Sequence, residues 1–468
     1  MEYADISTHR KAFNLNRDPS KYGTIAEIGA GQEVSRWFFR VGGASGTVAK
    51  SMSAYDMQFS DAIYGPSPKY VSRLRLITML EHEYSLLLER LNSVRGNTTQ
   101  FFAYANTVRV KSYRGNDVGN GWMGCRFQTR PHGEPNDIIL HCWMHDRSNL
   151  RQQESLGCLG VNLIDACFRF YHDPDAMLDS LMDNLSSDDI EIDMIVTSGK
   201  DLSHIDNQKL NLNLVAKKYT SSVIFSPNRQ IHQASEVLYR QPVLIARGRF
   251  RPLTKINETI MHEGLKCFRK NLTDHCEPLE MMEMSTNNLL DTNTFDVEDY
   301  LLRIELINAL GKTVMVSNRA AFHKLAKHVR RNTPKPIGIV LGVPLLKEIF
   351  NEKYYEDLEG GLLEGVGRLF KRDIRLYVYP VRDVENGRVL SLKNYHFPGT
   401  EEYLLKHLIE NDLIVEIPVE DHQVYALSSF DVTEMIRAGN DQWKNFVDEK
   451  LVELIESRGY FKQSKDNG

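Results

Sequence analysis

Between residues 189 and 395 the chain repeats one pattern: a short apolar run, a helical segment, then another apolar run. "LEMMEMS" leads to "VEDYLLRIELINALG" and "KTVMVSN", and "PIGIVLG" leads through a long helical stretch to "IRLYVYPV". "IEIDMIVTSG", "NQKLNLNLVAKKYT" and "SSVIFSP" begin the series. Strands with little polar alternation are buried on both faces, and strands joined through helices run parallel. The pattern predicts an α/β fold built on a central Rossmann-like, mostly parallel sheet.

The flanks read differently. Residues 1–188 predict an N-terminal α+β domain: a glycine-rich opening, a helical run over 71–95, then three strands separated by turn residues. Residues 396–468 predict a small helical appendage. A chain of 468 residues exceeds what one hydrophobic core ordinarily serves, so division into domains is expected.

Charge narrows the partners. The net charge is −5, with Lys and Arg scattered and no basic domain, so nucleic acid is not an expected partner. No apolar run reaches the ~18 residues that a membrane helix requires. The N-terminus is polar and lacks the apolar region of a signal peptide. The six cysteines include no C-x-x-C pair and lie in apolar segments, which suits reduced core thiols. A cytoplasmic protein with no membrane partner is expected.

"TIAEIGAGQEVSRWFF" offers Gly29 and Gly31 at a strand-to-helix turn. Val34 stands where a dinucleotide fingerprint needs its third glycine, so a tight corner explains the glycines as well as a phosphate does. Free amides at the start of the following helix would suit an anion. A second argument is geometric, because ligands of open parallel sheets bind beyond the carboxyl ends of the strands. There the sequence places Thr197, Ser198 and Gly199; Glu283, Ser285, Asn287 and Asn288; Ser317, Asn318 and Arg319; and Gly342. Hydroxyls and amides at those ends could hold phosphate or sugar oxygens, with Glu283 as the catalytic base; helix capping accounts for the same residue types.

In "RGRFRP", Arg247, Arg249 and Arg251 would share one face if the segment were extended, and Arg249 and Arg251 are expected to neutralise an anionic ligand. The acidic run around Glu352, Asp357 and Glu359 could hold Mg²⁺ or simply be a solvated face. His141 and His145 lie on a strand, without the spacing of a zinc site, and no metal-ligating residues are assigned. The expected partner is a small anionic ligand; the long helix and the helical C-terminus also offer surfaces for a homo-oligomer.

Several long stretches, among them "LNRDPSKYGTIAEIGAGQEVSRWFF", "VLYRQPVLIARGRFRP" and "FNEKYYEDLEGGLLEGVGRLFK", resemble a family of bacterial proteins of similar length. Its members go under two incompatible names, TonB-dependent receptor and nicotinate-nucleotide adenylyltransferase. The first implies an outer-membrane barrel of many alternating strands, a pattern this chain lacks. The second implies a phosphate-binding signature G-x-F-D-P-x-H-x-G-H near the first strand, and nothing in the chain is expected to match it; "LSHIDNQ" has one histidine without the lead. What remains of the resemblance is a Rossmann-like domain that binds a nucleotide or phosphorylated metabolite and transfers a group at phosphate, against the alternative of a non-catalytic scaffold.

Overall fold

The computed structural model describes residues 6–111, 118–272, 276–286, 295–382, 387–396, 399, 401–419 and 429–461. Two compact units divide the chain, Met1–Thr220 and Ser221–Gly468.

The first unit contains strands β1 (Lys21–Gly29), β2 (Val48–Ala54), β3 (Gln100–Arg109), β4 (Gly119–Phe127), β5 (Asn136–Met144) and β6 (Ile190–Ser198). Its helices are α1 (Thr8–Asn16), α2 (Glu33–Val41), α3 (Met57–Tyr64), α4 (Arg73–Arg95), α5 (Asn149–Arg169), α6 (Pro174–Leu181) and α7 (Asn207–Ala216). The sheet order is β2-β1-β3-β4-β5-β6, with β2, β1 and β3 parallel and the rest antiparallel. Alternate residues of β3 face opposite cores. Phe102 and Tyr104 join Val34 and Phe38 of α2 and Leu156 and Leu159 of α5, while Phe101 and Ala103 meet Tyr84 and Leu87 of α4.

The second unit holds β7 (Ser222–Phe225), β8 (Ile231–His232), β9 (Val243–Arg247), β10 (Leu279–Ser285), β11 (Thr313–Ser317), β12 (Ile337–Gly342) and β13 (Ile374–Tyr379). A separate pair, β14 (Val381–Arg382) and β15 (Val389–Leu390), and the short β16 (Ile414–Glu416) complete its strands. Its helices are α8 (Ala234–Val237), α9 (Lys255–Lys270), α10 (Val297–Ala309), α11 (Phe322–Asn332), α12 (Leu346–Ile349), α13 (Gly361–Leu369), α14 (Glu401–Glu410), α15 (Ser429–Arg437) and α16 (Glu449–Arg458). The eight-stranded sheet runs β16-β13-β12-β9-β10-β11-β7-β8. From β11 to β16 every pairing is parallel. Counted from β9, the order is 3-2-1-4-5-6, the doubly wound arrangement, and the α/β class expected from the sequence is the one observed.

Three sequence expectations need correction. "IEIDMIVTSG" forms β6, which pairs antiparallel with β5 in the first unit rather than opening the parallel sheet. "SSVIFSP" forms β7, which lies antiparallel on β11. Apolar runs of this kind specify burial on both faces, not strand direction. The C-terminal region is not wholly helical, since β16 extends the parallel sheet beyond β13. Among the described residues no helix is long and apolar enough to cross a membrane. All six cysteines are free, and four of them are buried.

Candidate functional site

In a doubly wound sheet the crevice for a ligand opens where the strand order reverses. In the second unit that point lies between β9 and β12, which pair in parallel from their first residues, Val243 opposite Ile337 through Ala246 opposite Val340. The chain leaves β9 at Arg247 and enters α9 after the turn Gly248–Leu253. Phe250 turns back, with φ of 46° and its side chain 2 % exposed. Gly248 is needed beneath it, because a Cβ there would come within 2.7 Å of the Phe250 ring. The turn is also tied from outside: Arg303 donates to the Arg249 carbonyl at 2.9 Å, and the Thr433 hydroxyl donates to that of Arg251.

This path separates the three arginines. Arg247 is turned inward, where Nε and Nη2 donate to the two Glu283 oxygens at 2.6 and 3.2 Å. Its other hydrogens go to the carbonyls of Arg319 and Ala320, and its guanidinium lies 4.8 Å from the Phe322 ring centre. Arg249 is exposed. Arg251 pairs with Asp299 at 3.0 Å. The expected clamp of cations on one face is therefore corrected: the segment is a turn, so alternation along a strand does not apply.

Glu283 is fully buried and also accepts from the Ser317 hydroxyl at 2.6 Å. Carboxylate, guanidinium and hydroxyl thus saturate one another across the ends of β9, β10 and β11. A general base must have an oxygen within reach of the proton it takes, and both Glu283 oxygens already accept hydrogen bonds from within the fold. Glu283, expected as a base, and Ser317, expected as a ligand donor, are thus bonded to each other and to Arg247. Ser285 lies beside Ser317 in register, and its carbonyl accepts from the Tyr300 hydroxyl at 2.6 Å. Asn318 donates its backbone N–H to the Ser221 carbonyl. Gly342 ends β12, and a Cβ there would meet Val381 at 3.3 Å. Asn287 and Asn288 lie outside the described residues.

Thr197, Ser198 and Gly199 do not join this group. They end β6 in the first unit, where Thr197 exchanges backbone hydrogen bonds with the Asn207 carboxamide at 2.8 and 2.9 Å. Asn136 crowds Gly199, whose φ is 115°.

The first unit has a reversal point of its own, between β1 and β3, because the path from β1 to β2 uses α2 and the path from β2 to β3 uses α4 on the other face. Gly29 and Gly31 stand there. Gly29 has φ of 79°, and a Cβ on Gly31 would approach the Asn106 carboxamide to 2.6 Å. The amides at the start of α2 are not open to an anion. Val34 N–H and Ser35 N–H donate to the two oxygens of Glu27 at 3.1 and 3.2 Å, joined by the Ser35 hydroxyl at 2.8 Å and Asn106 Nδ2 at 3.3 Å. Glu27 is 1 % exposed, and burial pushes its carboxyl up to about 7 against the opposing pull of these donors. The protein supplies its own carboxyl acceptor to this helix. Glu27 and Asn106 escaped the sequence reading; the available signal was an acidic residue inside an otherwise apolar strand two positions before Gly29.

The remaining polar candidates serve the fold. His141 bonds Asp193 at 2.6 Å, and His145 bonds Glu191 at 3.0 Å. Asp357 pairs with Lys324, and Tyr354 donates to Glu348. Among the described residues no group of three or more His, Cys, Asp or Glu side chains is placed to hold a metal ion.

The turn after β9 can be set beside the signature. Gly248, Phe250 and Pro252 occupy the G, F and P positions of G-x-F-D-P-x-H-x-G-H, at the end of the first strand of the doubly wound sheet. Arg251 replaces the aspartate, Thr254 and Asn257 replace the two histidines, and Ile256 replaces the glycine between them. Thr254 and Asn257 bond to each other, hydroxyl to carboxamide at 2.8 Å, in a capping box that opens α9.

No family model and no curated protein matches the chain. Similar solved structures include the competence/damage-inducible protein CihA from Agrobacterium tumefaciens, 16% identical over 36% of this chain and 98% of that one, with a TM-score of 0.26. A competence or damage-inducible protein from Enterobacter asburiae is 11% identical over 34% of this chain and 95% of its own, with a TM-score of 0.24. A competence-damaged protein (CinA) superfamily protein from Klebsiella pneumoniae is 12% identical over 38% and 96%, with a TM-score of 0.24. Scores of this size carry no argument; the fold class stands on the strand order itself.

Proposed function

We propose that the second unit binds a nucleotide or another phosphorylated metabolite at the turn between β9 and α9 and does not transfer a group to it. The observation that carries this reading is the incomplete signature. Its glycine, phenylalanine and proline stand at the reversal point of the sheet, while Thr254 and Asn257 stand in place of both histidines. Arg249, exposed on this turn, supplies the charge. A hydroxyl and a carboxamide can cap a helix and contact phosphate oxygens, but neither carries a proton that titrates near neutrality. The saturation of Glu283 and Ser317 favours the same non-catalytic reading.

The test is thermal unfolding of the whole chain against ATP, dinucleotides and sugar phosphates, each with and without Mg²⁺. A ligand at one hundred times its dissociation constant adds about 2.7 kcal/mol. The midpoint is expected to rise with at least one phosphorylated compound, to lose that rise in Arg249→Glu, and to keep it in Gly31→Ala. A flat panel overturns the binding site, and release of pyrophosphate from ATP overturns the absence of transfer.

A further inference from the structure

A sheet edge carries a row of unpaired backbone donors and acceptors that invites another strand, and folded proteins ordinarily block it. The two sheets have four edges, and three are blocked. β8 and β16 are two and three residues long. β6 is long, but the side chains of α7 cover its backbone. The Asn207 carboxamide bonds both N–H and C=O of Thr197, the Asn211 carboxamide bonds both of Ile195 at 3.1 and 2.6 Å, and the Tyr219 carbonyl accepts from Ile192.

The fourth edge, β2, has no such cover among the described residues. A register shift leaves Ala49 unmatched on β1, and from Lys50 to Ala54 the strand runs regularly. Ser51 and Ser53 are exposed on one face. No proline interrupts the run. Its single lysine does not guard the edge, because the Lys50 amine is drawn to Glu83 on α4 at 2.5 Å. Just beyond β2, Tyr55, Met57 and Phe59 are exposed by 75, 61 and 59 %.

We propose that β2 pairs antiparallel with β2 of a second copy of this chain across a two-fold axis at Met52, joining two six-stranded sheets edge to edge. A closed two-fold contact requires a self-complementary patch, and this strand is one. With the axis at Met52, Ser51 faces Ser53 of the partner subunit and Lys50 faces Ala54 of the partner subunit. No charge meets its like, which would be destabilising at directly opposed positions. In the same register Tyr55 falls opposite Ala49 of the partner subunit, so a small side chain meets a large exposed one. An axis at Lys50 is poorer, because it opposes two lysines.

Sedimentation of the full chain across a hundredfold range of concentration tests this. A dimer that dissociates on dilution is expected, and Ser51→Lys with Ser53→Lys, which sets lysine opposite lysine, is expected to give monomer at every concentration. In Met52→Cys the two thiols would meet on the axis, where opposed Cα atoms stand ~4.5–5.5 Å apart, within reach of a disulfide. Mild oxidation should then yield a covalent dimer that the unaltered chain, oxidised alongside, does not form. A chain monomeric throughout, a dimer indifferent to both lysines, or a Met52→Cys chain that stays uncrosslinked overturns the proposal. Should the double lysine variant lose its circular dichroism signature, the cysteine cross-link decides alone.

Discussion

The two reversal points make an instructive pair. Each sets a strand, a glycine-bearing turn and a helix at the place where an α/β sheet ordinarily receives a ligand. In the first unit, Glu27 fills the helix N-terminus with a carboxylate from the strand just before it, and Asn106 locks the turn from β3. In the second, Thr254 and Asn257 cap α9 with a neutral hydroxyl and carboxamide, and Arg247 and Arg251 at the turn are paired with Glu283 and Asp299. In the first turn the amides are taken by Glu27, while the second carries Arg249 exposed on its surface. A helix N-terminus is therefore no evidence of an anion site until its amides have been accounted for.

Four experiments would break or sharpen that contrast. The largest effect belongs to Glu283→Ala, which strands the inward-facing Arg247 guanidinium. A loss of about 3–5 kcal/mol is expected, with far less for the double replacement of Arg247 and Glu283 by Met. Hydrogen exchange along β9 to β11 reads this unit apart from the other. If the single and double variants cost the same, the ion pair is not what joins these strand ends.

Next, Gly31→Ala forces a Cβ against Asn106 and should cost about 1–3 kcal/mol, read as faster exchange in α2. A neutral outcome would show that the turn can yield and that its closure is not fixed by packing.

The third is a pH dependence confined to the first unit. The Glu27 carboxyl is raised from 4.5 to about 7, so between those values the folded unit holds a proton that the unfolded chain has released. Its stabilising contribution is complete below 4.5 and is lost as pH rises through about 7. The slope is at most about 1.4 kcal/mol per pH unit. Glu27→Gln should remove it from denaturation curves taken from pH 5 to 8. A slope of unchanged size in that variant assigns the titration elsewhere.

The smallest effect is on stability in Arg249→Ala, expected within about 0.5 kcal/mol because the side chain is exposed. Loss of nucleotide binding at unchanged stability would make Arg249 a ligand contact; a large destabilisation would make it part of the fold.

Much of this architecture is legible in the order of residues. The apolar runs that became β10, β11, β12 and β13 have no polar face, and only a sheet covered on both sides buries them. The helix α4 follows from apolar spacing and its Ser72 cap. The candidate site was legible only in part. Ser285 and Ser317 do meet, being adjacent in register, but Thr197 looked equivalent to them and lies on another sheet. Local pattern cannot assign a strand to a sheet, because pairing is a long-range choice. The partial likeness after β9 is hard to read for a different reason: Thr254 and Asn257 stand at both histidine positions, and only the strand order shows that Gly248, Phe250 and Pro252 follow the first strand of the doubly wound sheet.

The sequence by itself determined the α/β class, the free cysteines in apolar segments, and the tight turn at Gly29. These follow from burial and backbone sterics within a few residues. Tertiary structure alone decided which polar groups remain available. Glu27 reaches a helix that its strand merely precedes, Glu283 meets an arginine 36 residues away, and the asparagines of α7 close one sheet edge while β2 stays open. A buried charge or an unpaired amide takes whatever partner the fold brings within hydrogen-bonding distance, and that distance is set by strands remote in the chain.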